Sequence, residues 1–340
     1  MGHGKVSTRR LETQGRKRSK GPVPWLHPQY QLTSFPPGQY GTQETEELKE
    51  SIIYALKTGY RLIDTAQFYG VESVVGEAIR ASGIPRSKIK VMTKFWPKDS
   101  HEPTKALDYS LQELGTEYID LFLLHWPCTM TPEGEPMPYP GDPPYWEAWK
   151  RMEKLVGPRC RSIGVSNFTQ KTLAPLLEHA SIVPTVNQIE LHARNPNHNL
   201  VQYCRGKDIR PISWSTIGGS DRVDSATNPV LTHDIFTNIA QSHGCNPAVV
   251  SLSWSVQKGI PVIPKSSKRH RLDENIRLVT LSTKEMKAVD EAYKTIGRLR
   301  LSNITPGLLR YPDYLNGKET VLGWTDEEFG WEDSEGRWLC

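Results

Sequence analysis

The chain has 340 residues, of which 37% are hydrophobic and 24% are charged, and its formal net charge at pH 7 is +4. This length suits one large domain, and no stretch approaches the roughly 18 apolar residues that a membrane-spanning helix needs. The five cysteines are widely spaced and form no CxxC pair, which disfavours a disulfide framework and a zinc site. We therefore expect a cytoplasmic protein with no bound metal and no membrane partner.

The positive charge is concentrated at one end of the chain. Residues 1–20 hold seven basic side chains and one acidic side chain, a sum of +6, so the total of +4 leaves −2 for all other residues. Because the folded part is then not basic, nucleic-acid binding would depend on this short segment alone, and we do not expect it. We predict a disordered basic arm over residues 1–24 and an irregular, acidic tail over 301–340.

Between these ends, short apolar segments alternate with segments that repeat apolar residues at helical spacing. The first helix is predicted to begin at Thr42, which can cap it, and to stop at Gly59. A capping box, Ser282 and Glu285, begins the last helix. Further helices are predicted at 71–81, 103–114, 145–155, 170–179, 199–206, 247–257 and 268–276. Strands are predicted at 61–63, 89–93, 119–124, 161–165, 185–189, 209–214 and 260–263.

Seven clear strands are one fewer than a closed (β/α)₈ barrel requires. The missing first strand is expected within residues 34–42, SFPPGQYGT, although two prolines and two glycines make this a poor strand. Repeated β-α units leave either a doubly wound sheet or a closed barrel, and no GxGxxG motif follows any strand to support the former. We therefore predict a single-domain (β/α)₈ TIM barrel over residues 25–300.

Polar or aromatic residues lie at the carboxyl end of each predicted strand, where barrel enzymes build their active sites. Charged and polar groups gathered at one rim are costly unless they are paired and serve a purpose, so they predict a functional site. The alternatives are an ordinary ion pair between Asp64 and Lys94 and a structural role for His125. The residues at these strand ends are Asp64, Lys94, His125, Ser166, Asn167, Gln188, Trp214, Ser215 and Lys265.

Six segments across about Tyr40 to Tyr293 resemble the successive motifs of the aldo-keto reductase family, in the same order. They are GYRLIDTAQFYGVESVVGEAI, KVMTKFWP, YIDLFLLHWP, IGVSNF, PTVNQIELH and IPKSSKRHRLDENI. The resemblance implies an enzyme that uses NADPH to reduce an aldehyde or ketone, with a catalytic tetrad of Asp, Tyr, Lys and His. The alternative is a barrel that binds NADPH in a regulatory or redox-sensing role with little turnover. The tetrad positions are Asp64, Tyr69, Lys94 and His125.

The chemistry of carbonyl reduction explains these residue types. Negative charge grows on the carbonyl oxygen as hydride reaches the carbon, so a proton donor is needed, and the resemblance assigns Tyr69 to this role. A phenol has a pKa of about 10, and a neighbouring Lys94 ammonium should lower it. Asp64 would keep Lys94 charged, and His125 would donate a hydrogen bond to the same oxygen.

The resemblance also assigns cofactor contacts. Thr42 and Ser215 belong to this set, although Gln39 replaces a family glycine near Thr42, and Trp214 stands where the family has a Tyr that stacks on the nicotinamide. Cations around one phosphate favour NADPH, and a solvated basic helix start is the alternative. The remaining assignments are Ser166, Asn167 and Gln188 to the carboxamide, Lys265, Ser266 and Arg271 to the 2′-phosphate, and Glu274 and Asn275 to adenine.

Phe68, Trp96 and Trp126 are expected to form the walls of an apolar substrate pocket, with the tail from residue 301 packed near its mouth. Such a pocket suits an aromatic or otherwise hydrophobic carbonyl compound, and sugar-derived aldehydes also remain open. Cys128 lies close by in sequence, but no neighbour activates it, so we expect an inert thiol. A small-molecule carbonyl substrate is the expected partner, and the protein is expected to be a monomer.

Overall fold

Seven parallel strands, hydrogen-bonded in the order in which they occur in the chain, form the central sheet. The computed structural model of the protein describes residues 32–34, 42–219, 226–301, 310–312 and 319–339. A segment at 260–263 continues the sheet, because Ser213 in the last strand forms a parallel bridge with Val262. The strands are β1 Leu32–Ser34, β2 Leu62–Asp64, β3 Lys90–Phe95, β4 Leu121–Leu124, β5 Ile163–Ser166, β6 Val186–Glu190 and β7 Arg210–Trp214.

Helices connect these strands and cover the outside of the sheet. Sequential parallel strands joined through helices are the arrangement of a (β/α)₈ barrel, which confirms the predicted fold class. No helix in the described part of the chain is long and apolar enough to cross a lipid bilayer. The helices are α1 Thr42–Thr58, α2 Glu72–Ala81, α3 Pro103–Leu114, α4 Tyr145–Glu153, α5 Gln170–His179, α6 His198–Gly206, α7 Pro229–Thr232, α8 Asp234–His243, α9 Pro247–Gln257, α10 Arg269–Asn275, α11 Thr283–Asp290, α12 Tyr293–Ile296 and α13 Asp326–Phe329.

The first strand lies earlier than predicted. It was expected within residues 34–42, but β1 ends at Ser34 and pairs with β2 through Leu32 opposite Leu62 and Ser34 opposite Asp64. The proline pair that follows explains this position, because Pro36 and Pro37 have no backbone N–H to donate to a neighbouring strand. The predicted arm at residues 1–24 lies outside the described residues.

The sheet is buried on both faces. Its inner face forms a compact apolar cluster, and its outer face packs against the helices in a larger one, so strands such as β4, LFLL, are apolar throughout. Gly164 in β5 allows close packing inside the barrel, because a Cβ there would lie 2.8 Å from both Leu123 and Val186. The inner cluster consists of Leu62, Met92, Leu121, Leu123, Val186, Ile212 and Ile263.

A buried carboxylate organises the end of the barrel at which the strands begin. Asp120, directly before β4, is fully buried and forms ion pairs with Arg86 at 2.9 Å, Lys90 at 3.0 Å and Arg161 at 3.2 Å. It also accepts a hydrogen bond from the backbone N–H of Val91 at 3.1 Å. This cluster ties together residues at the start of β3, β4 and β5, at the end opposite the predicted active site.

The described part of the C-terminal tail has little regular structure. It contains a short hairpin, β8 Arg310–Pro312 with β9 Glu319–Val321, and the single turn of α13. Two of its aromatic rings, Phe329 and Trp331, pack edge-on against Trp126 with ring centres 5.9 and 6.3 Å away. The buried guanidinium of Arg300 holds this segment through Glu332, 3.4 Å away.

Candidate active site

A buried ion pair lies at the carboxyl ends of β2 and β3. Lys94 Nζ donates to Asp64 Oδ1 at 2.7 Å and to the carbonyl oxygen of Thr65 at 2.9 Å, and all three residues are fully buried. Burial alone would lower the pKa of Lys94, but attraction by Asp64 and Tyr69 and hydrogen bonds to both outweigh it and raise the pKa. Lys94 is therefore positively charged inside the barrel.

Tyr69 is held beside this ammonium by a short 3₁₀ turn, Gln67–Tyr69, that follows β2. A hydrogen bond joins Tyr69 to Lys94, and Lys94 Nζ lies 5.1 Å from the centre of the tyrosine ring. Gly70 ends the turn in a left-handed conformation with φ of 67°. The side chain of Gln67 anchors the turn to α3, donating to the carbonyl of Ala106 at 2.6 Å. Gln67 was not among the predicted site residues, and this anchor joins it to a residue 39 positions away.

His125 directly follows β4 and contributes a neutral imidazole. Burial, and then the charge of Lys94, lower its pKa well below the usual value. The ring meets Tyr69 edge-on with centres 5.9 Å apart, and it meets Trp96 in the same way at 5.2 Å. Nδ1 is buried without a hydrogen-bond partner in the described structure. Because an unpaired buried N–H is rarer than an unpaired acceptor, we infer that the proton resides on Nε2, available to a ligand.

The predicted carboxamide-binding residues are connected to the tetrad by hydrogen bonds. Gln188 donates to Asp64 Oδ1 at 3.0 Å, and Ser166 donates to the carbonyl of Gln188 at 3.0 Å. Asn167, in a left-handed conformation with φ of 64°, donates to the carbonyl of His125 at 3.0 Å. The end of β5 and the middle of β6 are thus fastened to the residues proposed to perform the chemistry.

Trp214 takes part in the same network. It lies half-buried at the end of β7 and packs against the inner apolar cluster. Its indole N–H donates to Asn167 Oδ1 at 2.9 Å, a bond that a phenylalanine could not make. Ser215 follows with φ of 52°, the second left-handed residue at a strand end of this rim. Both ends of the Asn167 amide are therefore engaged within the protein.

The predicted phosphate- and adenine-binding residues lie together in the α10 segment, residues 265–275, which comprises α10 and the four residues before it. Lys265 is partly buried, Ser266 is buried, and Arg271 is exposed on the helix. Ser266 accepts a hydrogen bond from the backbone N–H of Lys268 at 3.0 Å. Farther along the helix, Asn275 is buried and Glu274 accepts from Asn246 at 2.6 Å. Thr42 is the first residue of α1, and its side chain lies outside the described part of the chain.

These outer residues match the chemistry of a phosphorylated nucleotide. An ammonium, a hydroxyl and a guanidinium within one short segment are donors that suit a phosphate group. Helix α10 is fixed to α1 by the hydroxyl of Tyr54, which donates to the carboxylate of Asp273 at 2.9 Å. The segment therefore has a defined position, and the exposed Arg271 is accessible to a ligand.

The three predicted substrate residues fall into two groups. Phe68 and Trp96 stack with ring centres 3.9 Å apart and form an aromatic wall beside His125. Trp126 is only 4% exposed and packs beneath the tail residues Phe329 and Trp331. A cavity beside it is also lined by Asn167, Trp214 and Trp331. The tail was expected near the mouth of the pocket, but Trp331 was not among the predicted pocket residues, because its contact with Trp126 joins distant parts of the chain.

Neither metal nor thiol chemistry is indicated near these residues. The described residues contain no group of three or more His, Cys, Asp or Glu side chains arranged to hold a metal ion. Cys128 is fully buried, and burial raises the pKa of its thiol well above the usual value. This thiol stays protonated at neutral pH, as expected of an inert cysteine.

Comparison with known proteins is consistent with this geometry. Residues 33–294 match the family model described as the Aldo/keto reductase family. D-galacturonate reductase of Hypocrea jecorina is 37% identical over 259 residues, covering 72% of this chain and 82% of the relative. Glycerol 2-dehydrogenase (NADP(+)) of Saccharomyces cerevisiae is 35% identical over 282 residues, covering 78% and 88% respectively.

A solved structure agrees in fold. The crystal structure of a Bombyx mori aldo-keto reductase in complex with NADP has a TM-score of 0.68 and 29% sequence identity to this chain. The match covers 77% of this chain and 88% of that one. The family model spans most of the chain, and both relatives resemble it over most of their length. The chain belongs to the aldo-keto reductase family.

Proposed function

We propose that this protein reduces an aldehyde or ketone to the corresponding alcohol with NADPH as the hydride donor. The observation that carries the proposal is the hydrogen-bonded series Asp64, Lys94 and Tyr69, with neutral His125 beside Tyr69. The relatives named above are a reductase and a dehydrogenase. They support an enzyme rather than a regulatory barrel that binds NADPH without turnover.

The tetrad has groups that can stabilise and protonate a carbonyl oxygen. Tyr69 donates its phenolic proton to the oxygen as charge builds up there, and Lys94 stabilises the phenolate that remains. Asp64 keeps Lys94 charged and fixed in place. His125 donates a hydrogen bond from Nε2 to the same oxygen, which its neutral state allows at physiological pH. NADPH, when bound, supplies the hydride.

The cofactor would be held by residues from several strand ends and from the α10 segment. Lys265, Ser266 and Arg271 would bind the 2′-phosphate, and Glu274 and Asn275 the adenine. At the other end, Ser166, Asn167 and Gln188 would bind the carboxamide, and Trp214 would stack on the nicotinamide. Ser215 and Thr42 would make further contacts with the cofactor. The donors on the α10 segment and the fixed position of Trp214 support this assignment.

The aromatic wall supports an apolar substrate. Phe68 and Trp96 present stacked rings beside His125. Trp126 directly follows His125 in the sequence. We propose that the preferred carbonyl compound is aromatic or otherwise hydrophobic. The names of the two relatives point to polar, hydroxylated compounds instead, so sugar-derived aldehydes are the second candidate class.

We also propose that the barrel over residues 25–300 acts as a cytoplasmic monomer, with residues 1–24 as a separate arm and 301–340 as a tail near the substrate mouth. Large hydrophobic side chains exposed in the described part of the chain are limited to Tyr109 and Leu339, which leaves little apolar surface for a partner. The charge of −2 outside residues 1–20 argues against nucleic acid as a partner.

The full-length protein, NADPH and 4-nitrobenzaldehyde test the proposed reaction. We expect the near-ultraviolet absorbance of NADPH to fall only when protein and aldehyde are both present, with 4-nitrobenzyl alcohol as product. A panel of glyceraldehyde, glucuronate and benzaldehydes then separates the substrate classes by kcat/KM. Tight NADPH binding with no consumption for any carbonyl compound would favour the regulatory alternative.

A further inference from the structure

Glu72 is a buried carboxyl that the proton transfer described above does not use. It is the first residue of α2, three residues after Tyr69, and its side chain is only 3% exposed. Thr93 donates a hydrogen bond to Glu72 Oε1 at 2.6 Å. Thr93 directly precedes Lys94, and successive side chains of a strand point to opposite faces. The carboxyl therefore lies behind the strand that carries the catalytic ammonium.

Glu72 is also connected to the turn that carries Tyr69. The hydroxyl of Ser110 on α3 lies beside the carboxyl and stabilises its charged form. The same hydroxyl accepts a hydrogen bond from Gln67 Nε2 at 2.9 Å, and Gln67 is the first residue of the turn that ends in Tyr69. Thus Glu72 links β3 to the anchor of the Tyr69 turn through two buried hydroxyl groups.

The surroundings of this carboxyl place its ionisation near neutral pH. Burial raises the pKa of Glu72 to about 7, and Glu113 on α3 adds to the effect, while Thr93, Ser110 and Lys94 oppose it. Its second oxygen, Oε2, is buried and has no hydrogen-bond partner in the described structure. The facing groups that can carry charge are Glu113 from α3 and Lys94 from β3. Tyr109, also on α3, faces the carboxyl as well, and burial, Glu113 and then Glu72 raise the pKa of its phenol.

We propose that Glu72 is a positioning residue whose charge controls how readily Tyr69 gives up its proton. When Glu72 is neutral, its carboxyl does not oppose the positive charge of Lys94 at Tyr69. When Glu72 is ionised, a second negative charge lies behind β3. This charge lowers the positive electrostatic potential that Lys94 produces at Tyr69, so the Tyr69 phenolate is less stabilised. Carbonyl reduction then slows as Glu72 ionises. This inference rests on the proposed role of Tyr69 as proton donor.

Glu72→Gln tests the inference, because the amide keeps the size of the carboxyl and can still accept from Thr93 but carries no charge. We expect the wild-type kcat for 4-nitrobenzaldehyde, with chemistry rate-limiting, to fall about threefold as pH rises through about 7, the effect of one partly screened charge. The variant should stay at the upper level across this range. A variant that keeps the wild-type inflection would overturn the proposal.

Thr93→Val provides a second test, because it keeps the carboxyl of Glu72 but removes a hydrogen bond to it. The hydrogen bond from Thr93 stabilises the carboxylate, so its loss raises the pKa of Glu72, and the fall in kcat should move to higher pH rather than disappear. An inflection that stays in place or moves to lower pH counts against Glu72. Melting temperatures of both variants show whether each is folded under the assay conditions.

Infrared difference spectra between acidic and alkaline pH give a readout independent of turnover. The wild type should show a protonated carboxyl band that is lost near neutral pH and is absent in Glu72→Gln. Its presence in both proteins would assign the titration to another group and overturn the inference. If the wild type reduces no carbonyl compound, the proposed function itself fails, and this inference fails with it, whereas normal turnover with unchanged pH profiles refutes only Glu72.

Discussion

Arg271 shows how a single exposed side chain can determine cofactor choice. It lies on α10, in the same short segment as Lys265 and the buried hydroxyl of Ser266. We predict that Arg271→Ala weakens NADPH binding about ten- to a hundredfold, the size expected from losing one charge-assisted hydrogen bond to a phosphate. NADH lacks that phosphate, so its affinity should hardly change.

Quenching of tryptophan fluorescence by each cofactor measures the two affinities. Arg277→Ala is the matched control, because it removes a nearby exposed cation that has no assigned cofactor contact. It should leave the preference for NADPH intact. Equal losses for both cofactors in Arg271→Ala would mean that this residue supports the fold instead of the phosphate, and a wild type that prefers NADH would contradict the assigned phosphate site.

Strand β5 illustrates how closely the barrel interior is packed. A Cβ at Gly164 would lie 2.8 Å from Leu123 and Val186 side-chain atoms and 3.0 Å from the Val186 carbonyl oxygen. We predict that Gly164→Ala lowers the free energy of unfolding by about 1–3 kcal/mol, because neighbouring strands must move apart. Urea titration followed by circular dichroism measures the loss.

Gly206→Ala is the control for this prediction. Gly206 ends α6, and nothing lies within 4 Å of the position that its Cβ would occupy. Alanine has a higher helix propensity than glycine, so this variant should be as stable as the wild type or slightly more stable. If Gly164→Ala were equally harmless, the close packing of β4, β5 and β6 would be contradicted.

Helix limits were predicted more accurately than strand limits. The predicted bounds of α3, α5 and α9 match the structure, since Pro103 and Pro247 begin two of them and Thr169 caps the third. Helix α8 was not predicted, and its cap is an unusual histidine, His233. The segment at 260–263 forms only a bridge, because Pro261 and Pro264 remove backbone donors.

The barrel explains why the tetrad could be predicted while its support could not. Asp64 ends β2, Lys94 is the last residue but one of β3, and His125 directly follows β4, so sequence order alone assigns them to one rim. The contacts that hold them depend on packing between distant segments. Thr169, for example, donates to the carbonyl of Phe329 across 160 positions of the chain. Such contacts leave no periodic signal in the sequence.

The barrel has a buried ion-pair cluster around Asp120 at the end where the strands begin, and the tetrad lies at the opposite end. We predict that deleting residues 1–20 leaves kcat and melting temperature nearly unchanged, because this polar, charged segment has little apolar surface to bury. Steady-state kinetics and differential scanning calorimetry of the shortened protein test this. A marked fall in melting temperature would show that the arm covers part of the barrel.

The Tyr69→Phe variant tests the central claim most directly, because it removes the proposed proton donor and keeps the ring that packs beside His125. NADPH affinity and melting temperature should remain close to wild type, while single-turnover reduction of 4-nitrobenzaldehyde should slow by ~10²–10⁴-fold, the usual contribution of general acid catalysis. A variant that keeps more than about half of the wild-type rate, with hydride transfer shown to be rate-limiting by deuterated NADPH, would contradict the account.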